Sequence, residues 1–447
     1  MLKRHLETAI NSWITDGRNA MLVSGARQVG KTYLIRNCLK QKNADYIEIN
    51  FIKNPELVAV FENSKSTEDL KISISASLNR SLTEGQTILF LDEVQEYKDI
   101  VTKIKFWVDD GSFKYILSGS LLGVELIDLR SAPVGYLDEI TMYPLDFIEF
   151  LWACGVKDEV IDYLRECFDE DKEVTENVHN KMMEQFRRYL VVGGMPACVN
   201  EFVESGDIRK VSSIQKNIIS EYKRDFTKYE AKEKKLMLQS VYELVPSELL
   251  KQNRRFNFAD IKKGLKFERV EDSFLWLKSA GVTICVYNAT EPKIALNQNM
   301  KSSLVKLYMS DVGLLTDIYG PSMKLGILSE NKTINCGGIY ENAVMQELCA
   351  HGFDTYYYNS KRLGELDCVI EHNGHILPIE IKSGKNYYVH SALTNCLNNE
   401  EFDIPEAIVF SGYNVSREER TRYLPIYMCT FVKNDVELPI LNPLAEI

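Results

Sequence analysis

The segment Gly25-Ala26-Arg27-Gln28-Val29-Gly30-Lys31-Thr32 has the spacing G-x-x-x-x-G-K-[ST], with apolar Met21, Leu22 and Val23 before it and the helical pattern Tyr33, Leu34, Ile35 after it. A strand passing into a helix through such a loop aims successive backbone amides at an anion, and the helix N-terminus adds its positive dipole end. Gly25 and Gly30 let the chain turn back on itself, Lys31 would reach the β- and γ-phosphates of ATP, and the Thr32 hydroxyl would ligate Mg²⁺. A metal partner is expected on a neighbouring strand, and the run Ile88-Leu89-Phe90-Leu91-Asp92-Glu93 supplies it: four apolar residues carry Asp92 to the strand's carboxyl end. Glu93, a second carboxylate beside the metal ligand, is the candidate base for the attacking water, the alternative being a cap for the next helix. In YILSGS, Ser118 and Ser120 stand where a polar side chain would sense the γ-phosphate, unless they simply end a strand in a turn. Arg27 and Arg130 are candidates for stabilising the developing charge, and spacing does not choose between them.

A second group lies near the C-terminus. Asn373-Gly374 between two strand patterns signals a two-residue type I′ hairpin. In that register His372 faces His375, Asp367 faces Glu380, and Glu365 faces Lys382, all four acidic and basic residues on one sheet face. Opposed residues have Cβ atoms roughly 4.5–5.5 Å apart, where like charges need something positive between them. Mg²⁺ is one such species and Lys382 is another. Pro378 falls at a position that makes no hydrogen bond to its hairpin partner.

The elements that must hold these residues follow from apolar patterning. From residue 20 to about 145, short apolar runs alternate with helical patterns, as in a parallel sheet covered by helices. The strands are expected at Ala20–Ser24, Tyr46–Asn50, Ile88–Asp92, Tyr115–Ser118 and Glu139–Met142. Lys157–Lys181 is acidic and poor in strand formers, and reads as a solvated helix before the next module. Residues 181–300 read as mostly helical. Within them, Phe258–Leu265, Val270–Ala280 and Val282–Tyr287 run helix, helix, strand, so a winged-helix-like unit is expected, with a packed helical lid as the alternative. From Asp207 to Lys278 there are 17 Lys and Arg against 11 Asp and Glu, a local excess of +6 in a chain whose net charge is −11. Nucleic-acid contact must therefore be local rather than a property of the whole surface. Beyond it, Tyr340–His351 reads as a helix, and Leu366–Glu371 and Ile376–Lys382 as strands.

The 447 residues exceed one ordinary core, and 45% apolar with 26% charged residues indicates folding throughout. The ten cysteines form no CxxC pair and no zinc spacing. The opening MLKRHLETAINSW lacks a signal-peptide core, and no run of about 18 apolar residues occurs, so a cytoplasmic protein without membrane association is expected.

The loop motif with Arg27-Gln28, the ILFLDE strand, YPLDFIEFL, YLVVGGMPACV at 189–199, KLYMSDVGLL at 306–315 and the 340–382 segment together resemble a bacterial and archaeal family of AAA-type P-loop ATPases. The resemblance runs nearly the full length. It implies an α/β P-loop NTPase core with helices on both faces of a parallel sheet over residues 1–170, a helical and winged-helix-like region over 171–305, and a mixed α/β domain similar to PD-(D/E)XK nucleases, of restriction-endonuclease type, over 306–447. It further implies that Asp367, Glu380 and Lys382 form a metal-dependent phosphodiester-cleaving core, with Glu341 on the preceding helix as another ligand. AAA-type sites often take an arginine from a neighbouring subunit, which would make the chain a homo-oligomer. The family often shows a Gly-Arg pair shortly before the YPL motif, whereas SAPVGYLDEITMYPL stands here, which weakens a role for Arg130. Two functions follow. The chain is an ATPase working a nuclease-like module on DNA or RNA, or it is a nucleotide-controlled switch that captures a protein partner while its C-terminal domain is catalytically inactive.

Overall fold

Five short apolar runs build the first sheet: β1 (Ala20–Ser24), β2 (Tyr46–Asn50), β3 (Ile88–Asp92), β4 (Lys114–Ser118) and β5 (Leu137–Thr141). They lie in the order β2-β3-β4-β1-β5, and every adjacent pair is parallel. Parallel strands are covered on both faces, and β1 and β3 are accordingly buried at all their positions, whereas the edge strand β5 is mostly exposed. Ile47, Ile49, Leu89 and Leu91 pack with Phe61 and Trp107 from covering helices into one buried core. All five strands match their sequence-based expectation to within two residues.

The computed structural model describes residues 2–97, 99–120, 135–226, 232–331 and 333–434. Arg130 lies outside them. The chain divides into two compact units. The first contains residues Met1–Gly155, Val192–Leu244 and Ile261–Thr283, and the second Val156–Val191, Val245–Asp260 and Ile284–Ile447. In the first unit the YPLDFIEFL segment begins the helix Phe147–Ala153 through a capping box, Asp146 accepting from the Glu149 amide and Glu149 from the Asp146 amide. Gly194 must be glycine for close packing, because a Cβ there would lie 2.1 Å from the Leu145 carbonyl oxygen.

The second sheet has eight strands in the order β12-β13-β11-β10-β9-β8-β6-β7. Their ranges are β6 (Thr283–Ala289), β7 (Met300–Met309), β8 (Tyr356–Ser360), β9 (Gly364–His372), β10 (His375–Ile381), β11 (Ala407–Ser411), β12 (Ser416–Glu418) and β13 (Thr421–Pro425). Helix Gly337–Ala350 precedes β8, and helix Ser391–Leu397 joins β10 to the parallel β11. The β9–β10 hairpin has the register expected from Asn-Gly, from His372↔His375 to Cys368↔Ile379. Both turn residues have positive φ, 50° at Asn373 and 77° at Gly374, as type I′ demands.

The middle region differs from expectation. The helix expected over Phe258–Leu265 is a single 3₁₀ turn at Phe258–Asp260, and Gly264 has φ 78°, which a right-handed helix does not accommodate. The expected wing strand is β6, which pairs in parallel with β8 inside the large sheet. A winged-helix unit of that order is not formed.

Candidate functional site

The loop Gly25–Thr32 leaves the carboxyl end of β1, where the sheet order reverses direction between β4 and β5. Ligand crevices in open parallel sheets occur at such points. Gly25 has φ 134°, and a Cβ there would sit 2.2 Å from the Met142 carbonyl oxygen, so only glycine fits. Gln28 (φ 66°) and Gly30 (φ 97°) are also left-handed, and Gly30 is the N-cap of helix Lys31–Gln41. The loop thus delivers its amides to a helix N-terminus, an anion-binding arrangement.

Lys31 is buried and its Nζ donates to the carbonyls of Gly25 at 2.9 Å and Ala26 at 2.8 Å, so the ammonium is held across the loop. Burial pulls its pKa down from 10.5 to about 8, against the opposing pull of Glu93 and Asp92. Asp92 gathers four donor contacts: Thr32 Oγ1 reaches its two oxygens at 3.1 and 3.2 Å, Asn50 Nδ2 donates at 2.9 Å, and Ser118 Oγ also donates. The sheet register explains this, since Asn50, Asp92 and Ser118 stand side by side on β2, β3 and β4. The Thr32 hydroxyl and the Asp92 carboxylate make an adjacent all-oxygen pair that suits a hard divalent cation. Glu93 sits just beyond β3 with φ 57° and accepts from Gln95 Nε2 at 2.5 Å. Its pull on Lys31 puts its charge within electrostatic reach of the loop.

The serines separate in role. Ser118 Oγ donates to Asp92, so its hydroxyl is committed to that carboxylate. Ser120 Oγ is buried with no hydrogen-bond partner among the described residues. Arg27 pairs with Asp225 at 2.8 Å, and its carbonyl accepts from Tyr222 at 3.0 Å, while Gln28 donates to Glu221. Helix Ile208–Asp225 therefore grips the outside of the loop. Its contact residues recur at i, i+1 and i+4 on one helical face, a signal present in the sequence but too common to single out. A cavity of about 290 Å³ adjoins the loop, walled by Arg4, Val29, Gly30, Tyr33, Met142 and Pro196.

In the second unit Asp367, Glu380 and Lys382 converge. Asp367 accepts from the Ile381 amide at 3.0 Å, and Lys382 pairs with Glu380 at 2.8 Å. Burial and the Asp367 charge push the Glu380 carboxyl well above its ordinary range. The β9–β10 ladder runs from His372↔His375 to Cys368↔Ile379 and so stops short of the expected Asp367–Glu380 and Glu365–Lys382 pairs, while Glu365 forms its ion pair with Lys306 at 2.7 Å. Glu341 is buried against Arg254 at 2.5 Å and accepts from Tyr308 at 3.0 Å. Its pKa rises to about 7, chiefly from burial. Glu341, Asp367 and Glu380 do not bring three ligand atoms within 4.8 Å of one another. Arg254 and Lys306 were not singled out in the sequence, because the carboxylates they pair with, Glu341 and Glu365, lie far along the chain and no local pattern announces either pairing. Among the described residues the set that does gather three such atoms is His5, Asp146 and Glu149. There Arg4 pairs with Glu149 at 2.9 Å, and the two carboxylates form the capping box.

Known proteins resemble the chain in segments. Residues 17–151 match the model of an AAA domain, residues 183–324 a domain of unknown function (DUF8612), and residues 336–428 a second domain of unknown function (DUF4143). No curated protein matches the chain. Among solved structures, a Walker-type ATPase of Pyrococcus abyssi is 16% identical with a TM-score of 0.44, over 71% of this chain and 96% of that one. The Orc1 protein of Aeropyrum pernix in complex with DNA is 13% identical with a TM-score of 0.31, over 74% and 93%. RuvB of Thermotoga maritima is 16% identical with a TM-score of 0.28, over 63% and 87%. No helix among the described residues is long and apolar enough to cross a membrane. With the loop, the buried lysine and the strand-terminal aspartate all in place on a parallel sheet, residues 17–151 have the make-up of the AAA domain whose model they match.

Proposed function

We propose that the chain binds ATP with Mg²⁺ in the Gly25–Thr32 loop and hydrolyses it, and that this cycle works on a PD-(D/E)XK-like C-terminal domain that engages nucleic acid. The observation that carries the first part is the contact of Thr32 Oγ1 with Asp92 beside the buried Lys31. Thr32 and Asp92 would hold the Mg²⁺, which supplies neutralisation of charge on the phosphate oxygens. Asn50 and Ser118 fix the Asp92 carboxylate so that it need not reorganise. The loop amides and Lys31 bind the β- and γ-phosphates, Lys31 exchanging its two carbonyl partners for phosphate oxygens. The adjoining cavity, with apolar Val29, Met142 and Pro196, suits the adenine. Glu93 takes the proton of the attacking water.

For the C-terminal domain, the order helix, β8, β9, β10, helix, β11 and the acid-acid-lysine cluster support the PD-(D/E)XK likeness. The carboxylates are nevertheless matched by the chain's own cations, Arg254 on Glu341 and Lys306 on Glu365, and they do not fit a metal centre as arranged. This favours engagement of nucleic acid without cleavage. Glu93→Gln should bind ATP like the wild type and turn it over about 10²- to 10⁴-fold more slowly; wild-type turnover in that variant would remove Glu93 as base. Incubation of labelled DNA and RNA with the protein in Mg²⁺ or Mn²⁺ should leave both intact. Cleavage that vanishes in Asp367→Asn would reinstate a nuclease.

A further inference from the structure

Beside the Asp367–Glu380–Lys382 cluster, the segment after β10 builds a layered aromatic surface that the ATPase cycle does not use. Tyr387 is almost fully buried because it is sandwiched: its ring centroid lies 3.9 Å from that of Tyr388 and 4.2 Å from that of Tyr413. Tyr423 closes the group at 4.9 Å from Tyr388 and is fixed by a 2.8 Å hydrogen bond to His390. The outer rings are open to solvent, Tyr388 at 50% and Tyr413 at 40% exposure. Large exposed aromatics in contact with one another bury less surface than the fold would allow, which marks a recognition surface.

The charge around the stack selects the occupant. Ser383–Asn395 holds Lys385 and no acid, follows directly on Lys382, and is exposed at Lys385. Asn395 of the helix after the stack bonds the Leu363 carbonyl, which brings that helix against the turn carrying exposed Lys361 and Arg362. Glu418 stands beside Tyr423, and Glu380, itself paired with Lys382, is within electrostatic reach of Cys396 on the helix after the stack. Lys382 lies within electrostatic reach of His390, so the aromatic surface adjoins the acid-acid-lysine cluster. Open aromatic faces with cations alongside are how proteins hold unpaired bases, whereas a duplex keeps its base faces covered.

We propose that the Tyr387–Tyr388–Tyr413 stack is a platform for unpaired bases of a single-stranded nucleic acid, with Lys385 on its backbone phosphates; this rests on the reading that the C-terminal domain engages nucleic acid. The full chain is titrated, in chelator, against fluorescein-labelled oligothymidine and oligouridine of about 12 nucleotides and against a duplex of the same length, reading anisotropy. The wild type should prefer the single strands. Tyr388→Ala and Tyr413→Ala should each weaken single-strand binding about tenfold, since each removes one stacking face. Tyr388→Phe and Tyr413→Phe should stay near wild type, and all four should turn over ATP normally. Wild-type affinity in both alanine variants, or equal affinity for duplex and single strand, overturns the platform while leaving nucleic-acid engagement intact. Failure of the wild type to bind any of the probes overturns both and assigns the stack to a protein partner.

Discussion

Raising the pH from about 7 to about 9 should weaken ATP binding about tenfold, through Lys31 alone. Burial holds its pKa at about 8 in the nucleotide-free protein, against an ordinary 10.5. Phosphate oxygens around Nζ favour the ammonium, so the bound state keeps the proton where the free state loses it. With a free-state pKa of about 8, roughly one-tenth of the molecules are neutral at Lys31 at pH 7 and nine-tenths at pH 9. Binding must then take up about 0.1 proton at pH 7 and about 0.9 at pH 9. The terminal phosphate ionises near pH 6 and does not contribute across this range. Calorimetric titration in two buffers of different ionisation enthalpy measures the uptake directly. The same shift acts on folding with a definite sign: between about 8 and 10.5 the unfolded chain carries the extra proton, so the nucleotide-free protein gains stability as pH rises through that window, by at most about 3 kcal/mol. Affinity that is flat between these pH values, or an equal slope in Lys31→Ala, would refute the buried-ammonium account.

Gly25→Ala places a methyl 2.2 Å from the Met142 carbonyl at φ 134°, and should abolish nucleotide binding while lowering stability by about 1–3 kcal/mol, measured by denaturant titration; unchanged ATP affinity would mean the loop is not the site. Lys306→Met strands Glu365 beside Glu341 and Asp367, and should cost about 3–5 kcal/mol with no effect on ATP binding. A loss below about 1 kcal/mol would show that the ion pairs of the second unit are solvated rather than structural.

The conformation of the Gly25–Thr32 loop was largely legible because its parts are local. Two glycines, a lysine and a threonine fix a backbone path within eight residues, and a fully apolar run ending in aspartate can only be a buried parallel strand. The hairpin was legible for a similar reason, since Asn373-Gly374 permits one turn and so one register. What was hidden depends on partners far along the chain. Asp225 meets Arg27 across 198 positions, and no periodicity announces that pairing. Asn50 carried a usable signal, ending YIEIN much as Asp92 ends ILFLD, and its significance appears only once β2 and β3 are adjacent. The region around Phe258 misled because apolar spacing alone does not register the left-handed backbone at Gly264. Likewise nothing in the sequence marks the role of Lys306 on β7, because Glu365, with which it pairs, lies on β9.

The most direct measurement is a titration of the purified chain with fluorescent ATP in the presence of Mg²⁺, beside Lys31→Ala. One saturable site in the wild type that is lost in the variant is the predicted result. No binding by the wild type, or the same affinity in both proteins, would contradict the assignment of residues 25–32 as the phosphate cradle.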